Sequence, residues 1–278
     1  MTAHRTDDTF DQRLAQWRAW CEAPWGRLRF AVVQETLRRQ TEALGASNGG
    51  LRVLDVGGGD GRDAVPLAEA GHHVTVLDPA PSWLAEARRR AAAARVADRL
   101  TTIEGSIDDL SAAGDNYDLV LCHFVLHYRP AEADAGDLER LAATLRPGGR
   151  LSVMAPNAHA RVIMRLTREG PDAALAELDS AAFESTTFAT TGRSITAEET
   201  EATLTRLGMA PVGRYAARVV NDYVPDDTLK ADPDYYASLE RLELALCDRE
   251  PFIRLGALWQ VVAERPSDPA EGTLQRGE

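Results

Sequence analysis

The stretch best equipped for chemistry is Asp55-Val-Gly57-Gly58-Gly59-Asp60-Gly61. Glycine lacks a Cβ, so such a turn takes positive φ and lets a ligand touch the backbone. Val53 to Val56 reads as a buried strand before it, and Asp63 to Gly71 as a helix stopped by glycine after it. Strand, glycine turn and helix form the first unit of a nucleotide-binding α/β sheet. The spacing Gly57-x-Gly59-x-Gly61 is tighter than the dinucleotide fingerprint. An acid, Asp55, also sits two residues before the first glycine. Both features suit a ligand with a cationic or amino-acid end rather than a pyrophosphate. A plain tight turn and a nicotinamide-dependent oxidoreductase are the competing readings.

Further candidates lie where later strands end. His73 to Asp78 reads as a second strand, closed by an acid and stopped by Pro79. An acid there takes two ribose hydroxyls, or caps the helix that starts at Pro81. Leu100 to Glu104 reads as a third strand, and the loop Gly105-Ser106-Ile107-Asp108 should flank an adenine. Tyr117 to Cys122 reads as a fourth strand with His123 at its carboxyl end, where ligands of open α/β sheets bind. His123 is either a contact to cofactor or substrate, or a hydrogen-bonded strand-end histidine. His127 and Tyr128 pack or line an entrance.

Other elements must position these groups. Thr9 to Glu22 has Phe10, Leu14, Trp17 and Trp20 on one helical face, with Thr9 as its cap. Pro24 opens a second helix that contains Arg29. Both are expected to cap the ligand edge of the sheet, and Arg29 reads equally as a solvated arginine. Asp137 to Leu145 reads as a helix, and Arg146-Pro-Gly-Gly149 turns it into a fifth strand, Arg150 to Ala155. The alternation then breaks. Asn157-Ala-His159 leads into a helix with Arg161, Arg165 and Arg168 on one face, followed by a short helix from Pro171 to Asp179. Phe183 to Arg193 reads as loop, and Pro156 to Arg193 as a substrate lid. The arginine row either clamps an anion or is a solvated face. Thr196 to Glu199 is a capping box for a helix to Leu207. Ala210 to Val220 reads as strand six with Arg214 and Arg218 on one face, and Asn221-Asp222-Tyr223 at its end. A helix from Pro233 to Asp248, strand seven from Arg254 to Ala263 and a polar tail complete the chain.

Composition narrows the partners. The chain has 278 residues and a formal net charge of −12, so it gains nothing from non-specific phosphate attraction. Cys21, Cys122 and Cys247 are far apart, and no zinc, redox or other metal spacing is present. No signal core or bilayer-spanning stretch is evident, which makes the cytoplasm the expected compartment and excludes a membrane partner. Oligomeric state is left open.

Asp55 with Gly57, Gly59 and Gly61, the strand-two acid Asp78, and the Arg146-Pro-Gly-Gly149 turn together resemble class I S-adenosylmethionine (SAM) methyltransferases. The resemblance implies an α/β fold, a seven-stranded wound sheet of Rossmann-like type whose last strand is antiparallel. The expected division is 1–50 capping helices, 51–155 SAM-binding core, 156–195 lid insertion, 196–265 the rest of the sheet and 266–278 polar tail. In more detail the chain is similar to the tRNA carboxymethoxyuridine carboxyl-methyltransferase family. The likeness lies in Leu54 to Gly61, Leu145 to Gly149 with Asn157-Ala-His159, Arg218-Val-Val-Asn-Asp-Tyr223, and Leu242-Glu-Leu with Cys247 to Ile253. It implies Arg29 at the SAM carboxylate, Gly57 and Gly58 at the methionine part, and Asp78 at the ribose. Ser106 and Ile107 fall beside the adenine and His123 near the cofactor, with Asp55, Gly59 and Pro79 lining the same site.

Two segments depart from that family. The matching lid region holds Asp172, Glu177, Asp179 and Glu184 where the family has lysines, and Trp17 to Trp25 is richer in tryptophan. The expected function is therefore SAM-dependent O-methylation, at a carboxylate or hydroxyl, of an anionic small molecule or natural-product intermediate, ahead of tRNA. A tRNA wobble-uridine carboxyl-methyltransferase and a non-catalytic SAM-binding protein are the alternatives. His123, His159, Tyr223 and Arg218 are the candidate catalytic groups, with Arg161 and Arg165 beside the mouth.

Overall fold

Val and Leu fill the interiors of Arg52–Val56 (β1), His73–Asp78 (β2) and Tyr117–His123 (β4), which pair in parallel together with the more mixed edge strand Leu100–Glu104 (β3). Residues 53–56 of β1 are all buried, as a strand covered on both faces must be. The computed structural model describes residues 13–45, 49–185, 190–224 and 226–267. Thr9, Phe10 and the tail from 268 on lie outside the described residues.

Leu145–Pro156 (β5) joins β4 in parallel, and Leu258–Glu264 (β9) pairs antiparallel with both β5 and Ala210–Ala217 (β8). The sheet order is β3-β2-β1-β4-β5-β9-β8, the seven-stranded wound sheet expected, with its last strand in sequence antiparallel. Strand order reverses between β1 and β4, so a crevice opens at their carboxyl ends. The pleat separates two apolar layers. Leu54 and Val56 face Leu138 and Leu141 of Asp134–Ala143 (α5) and Leu204 of Ala197–Arg206 (α8). Val53 faces Val32, Val33 and Leu37 of Pro24–Ala43 (α2) and Val65 of Ala64–Glu69 (α3). Each fully buried Leu or Val contributes about 1.5–3 kcal/mol.

The helix begun by Pro24 is thus more than an edge cap, because its centre forms part of the core and only its amino-terminal half reaches the ligand edge. Leu14–Glu22 (α1) lies outside it, and Pro81–Ala93 (α4) follows β2. Ala158–Glu169 (α6) and Pro171–Leu178 (α7) pack together after β5. The stretch expected as loop is instead a ribbon, Ala182–Ser185 (β6) with Thr190–Arg193 (β7). Its β-branched threonines favour extended backbone. Phe183 packs on His127 with ring centroids 5.7 Å apart, and Arg193 donates to the Arg129 and Leu126 carbonyls, fastening the ribbon to the β4 exit.

Two expected strands are shorter. Strand six stops at Ala217 because Arg218 turns to φ +59°, and strand seven begins at Leu258 because Phe252–Arg254 is a helical turn. Asp227–Ala231 (α9) and Pro233–Leu246 (α10) lie between them. Among the described residues no helix is long and apolar enough to cross a membrane, and no cluster of three or more potential metal ligands occurs.

Candidate functional site

The glycine turn sits where β1 ends, and its neighbours explain its composition. A Cβ on Gly58 would lie 2.5 Å from the Asp55 carboxyl, and one on Gly59, at φ +51°, would lie 2.7 Å from the Trp83 ring. Asp78 braces the same turn. Its Oδ2 accepts the Gly59 N–H at 2.9 Å and its Oδ1 accepts the Ala80 N–H at 2.9 Å, across Pro79. Trp17 of α1 donates to Asp60 at 3.1 Å and packs on Trp83, so α1 closes over the turn with Trp20 and Phe30. The sequence put the helix carrying Trp17 and Trp20 over the ligand edge but assigned neither ring a contact there. Ser106 accepts from the Asp108 N–H and forms a capping box with Asp109, while the Ile107 side chain is buried beneath the loop with Leu77.

Four carboxylates crowd this edge: Asp55, Asp60, Asp63 and Asp78, all buried. Asp55 Oδ2 has no hydrogen-bond partner. Burial, then the Asp63 charge, pushes the Asp55 carboxyl well above the usual range. The site therefore has an acceptor that a cation would satisfy.

Arg29 is 3% exposed and binds Asp63 through both terminal nitrogens, at 2.6 and 2.8 Å. Its Nε has no partner. That excludes the solvated reading of Arg29. Asp63 was missed as a site residue because it reads as an ordinary helix-start acid. Burial would raise its pKa, but the Arg29 charge and the His123 hydrogen bond prevail and hold it well below the carboxylate range.

His123 departs from the expectation of a free contact or base. Its Nδ1 lies 3.0 Å from Asp63 Oδ2 and its Nε2 lies 2.9 Å from Ser152 Oγ, so both nitrogens are committed. Burial lowers its pKa against the pull of Asp63, which keeps it neutral. Of the two sequence readings, the hydrogen-bonded strand-end histidine is the one the side chain adopts. His127 is buried under Phe183 and Tyr128, and burial, then the Arg193 charge, pushes its pKa down to about 3.

At the opposite side of the crevice the arginines are not open clamps. Arg161 binds Glu177 at 2.7 Å and Ser194 at 2.8 Å; Arg165 binds Glu169 and Glu177. Arg168 lies 3.5 Å from Asp222, and Arg218 donates to Asp222 at 2.7 Å. Glu169 and Glu177 thus pair with Arg161 and Arg165, and Arg161 Nη1 is left buried without a hydrogen-bond partner. Arg218 Nε and Asp222 Oδ2 are buried without partners, so this pair keeps a donor and an acceptor. Tyr223 is exposed, and burial of its hydroxyl end, then the Asp222 charge, raises its pKa. His159 is exposed on the first turn of α6, where its N–H meets the Asn157 side chain. The turn from Arg218 to Tyr223 is gripped from behind. Glu243, fully buried, accepts the N–H groups of Val219, Val220 and Asn221 at 2.7, 3.0 and 2.8 Å. The available signal for it was helical spacing, which puts Glu243 on the same face as Tyr236, Leu239 and Leu246.

Comparison with known proteins supplies the rest. Residues 53–149 match the family described as a methyltransferase domain. The tRNA 5-carboxymethoxyuridine methyltransferase of Escherichia coli K12 is 31% identical over 248 residues, 87% of this chain and 89% of that protein. The ubiquinone biosynthesis O-methyltransferase of Methylocella silvestris is 41% identical over 102 residues, but these are 36% of this chain and 38% of that protein. Among solved structures, the magnesium protoporphyrin IX methyltransferase of Synechocystis with bound S-adenosylhomocysteine superimposes with a TM-score of 0.62 at 17% identity. It covers 93% of this chain and 97% of its own. At that identity the likeness shows the fold.

Proposed function

We propose that this chain, which belongs to the class I SAM-dependent methyltransferases and is related over most of its length to the tRNA 5-carboxymethoxyuridine methyltransferases, transfers the SAM methyl group to an oxygen of an anionic acceptor, a carboxylate. SAM is the cofactor. Its amino-acid end carries an ammonium and a carboxylate, which complement the two unpartnered buried atoms at the turn, Asp55 Oδ2 and Arg29 Nε. In this reading Gly57, Gly58 and Gly59 give the methionine part its backbone cradle. Asp78 with Pro79 receives the ribose, and the Ser106–Ile107 loop flanks the adenine. Residues 156–195 act as the lid, and 1–50 supply the cover over the cofactor.

One observation carries the choice of acceptor: the histidines at the β4 exit are poor bases. His123 has both nitrogens occupied, and His127 is buried with a pKa pushed down to about 3. A carboxylate is already ionised at neutral pH and needs no base. Its oxygen forms the new O–CH3 bond while the S–CH3 bond breaks and the electron pair goes to sulfur, leaving S-adenosylhomocysteine and an ester. No proton moves. The protein's task is to hold the oxygen about 3 Å from the methyl carbon, in line with sulfur. Arg218 would orient the carboxylate through its unpartnered Nε, with Tyr223 beside it.

A small acidic molecule remains the favoured acceptor, because the lid's acids occupy its arginines and the net charge of −12 opposes a polyanion. The tRNA reading is favoured instead by the breadth of the likeness, 87% of this chain. Release of S-adenosylhomocysteine, measured with tRNA bearing 5-carboxymethoxyuridine and separately with a pool of small carboxylic acids, separates them. Turnover with neither would favour a non-catalytic SAM-binding protein. Arg218→Ala should cut acceptor methylation about tenfold or more while SAM still binds. Unchanged methylation would end the clamp reading. This reading takes the cytoplasm as the compartment.

A further inference from the structure

Two polar residues are buried in the middle of otherwise apolar strands. Ser152 lies between Leu151 and Val153 in β5, and Gln260 between Trp259 and Val261 in β9. Neither belongs to the glycine turn or to the acceptor side. Polar groups buried there cost stability unless they are hydrogen-bonded, so their bonds should say what they are for.

Those bonds form one chain. Thr36 Oγ1 of α2 shares its one proton between Gln260 Oε1 at 2.8 Å and the Val33 carbonyl at 2.9 Å, and Gln260 Nε2 donates to Ser152 Oγ at 2.9 Å. The Ser152 hydroxyl, having accepted from Gln260, has its own proton for His123 Nε2, 2.9 Å away. His123 then carries its proton on Nδ1 and donates it to Asp63 Oδ2 at 3.0 Å. Asp63 receives Arg29 from the other side. All six residues are buried, and from Gln260 to Asp63 every bond points the same way along the chain. Such a chain fixes a single imidazole tautomer and a single ring orientation. Asp63 lies just ahead of α3 with no cap bond of its own, so the ring and Arg29 set where its carboxylate sits.

We infer that Ser152, Gln260 and Thr36 are positioning residues: acting through His123 and Asp63, they aim Arg29 at the carboxylate of the cofactor. The inference rests on the reading that Arg29 meets that carboxylate. It predicts that the chain affects ligands with an amino-acid end and ignores ligands without one.

The test is calorimetric titration with S-adenosylhomocysteine and with 5′-methylthioadenosine, which lacks the amino-acid end. In Ser152→Ala, S-adenosylhomocysteine should bind about tenfold more weakly, about 1.4 kcal/mol, while 5′-methylthioadenosine changes less than about twofold. Ser152→Thr, which keeps the hydroxyl, should restore the first ligand. Thr36→Val, nearly isosteric and at the far end of the chain, should shift the same ligand by about threefold. If Ser152→Ala does not fold, Thr36→Val decides by the same selectivity. Parallel weakening of both ligands would mark a merely structural role and overturn the inference, as would unchanged S-adenosylhomocysteine affinity in a folded variant. Arg29→Gln tests the premise separately. If it fails to weaken S-adenosylhomocysteine selectively, Arg29 does not read the carboxylate and both statements fall.

Discussion

Replacing Asp55 by Asn should stabilise the protein without its cofactor and weaken its hold on SAM. Asp55 is buried, its Oδ2 has no partner, and burial, then the neighbouring Asp63 charge, raises its pKa. Its folded pKa therefore lies above the unfolded value of about 3.9. As pH rises through that window the unfolded chain releases a proton that the folded chain retains, so stability falls with pH until the folded pKa is passed. Asn carries no such proton. The variant should gain about 1 kcal/mol at neutral pH, roughly 2–4 °C in Tm for a chain of this size. Binding responds in the opposite sense. A bound ammonium favours the ionised carboxylate, so SAM binding by the wild type releases the Asp55 proton and weakens as pH falls below the raised pKa. A hydrogen bond to a charged group contributes about 1.5–3 kcal/mol, so the variant should lose roughly 10- to 150-fold in affinity. Calorimetry with SAM from about pH 5 to about pH 8 should show affinity falling toward acid in the wild type and a flatter profile in the variant. Equal affinity in the two proteins, or profiles that superimpose, would refute the placement of the ammonium at Asp55.

Gly59→Ala puts a Cβ 2.7 Å from the Trp83 ring at φ +51°, a strain of about 1–3 kcal/mol. It should abolish S-adenosylhomocysteine binding by calorimetry while circular dichroism remains native. Glu243→Leu leaves three N–H groups without their acceptor, two of them buried, at about 1–3 kcal/mol for each buried one. Its urea midpoint should drop sharply, and amide exchange at Val219, Val220 and Asn221 should accelerate. Burial, then the Arg193 charge, holds His127 neutral down to about 3, whereas an unfolded histidine takes up its proton near about 6.5. Stability is therefore lost as pH falls through that window. His127→Phe should flatten the acid limb of a urea-denaturation series recorded against pH.

The parts of the site that follow a local rule were legible in the sequence. Asp55 lies one residue before the end of β1 and Asp78 closes β2, and Gly57, Gly58 and Gly59 follow β1 at once, so chain order alone brings them to one edge. The same logic gave the central strands of the wound sheet, which are largely apolar runs bounded by turn residues, whereas the edge strands Leu100–Glu104 and Ala210–Ala217 are more mixed. The ribbon of β6 and β7 was missed, because an antiparallel ribbon this short has little pattern of its own and is fastened by Phe183 and Arg193 to a distant loop. Strand six was read too long, because nothing local shows that Arg218 turns to positive φ under the grip of Glu243 on another helix.

By itself the sequence determined the sheet, its glycine turn and the acids around it, because those depend on residues adjacent along the chain. Only tertiary structure decided which charges are paired and with what. Arg29, Arg161, Arg165 and Arg218 read alike in sequence, yet each meets its carboxylate, Asp63, Glu177 or Asp222, through folding. His123 likewise became an internal link rather than a base when Asp63 and Ser152 closed on its two nitrogens. The physical reason is that a side chain's charge and hydrogen bonds are set by groups within about 3 Å, and folding brings these together from distant parts of the chain.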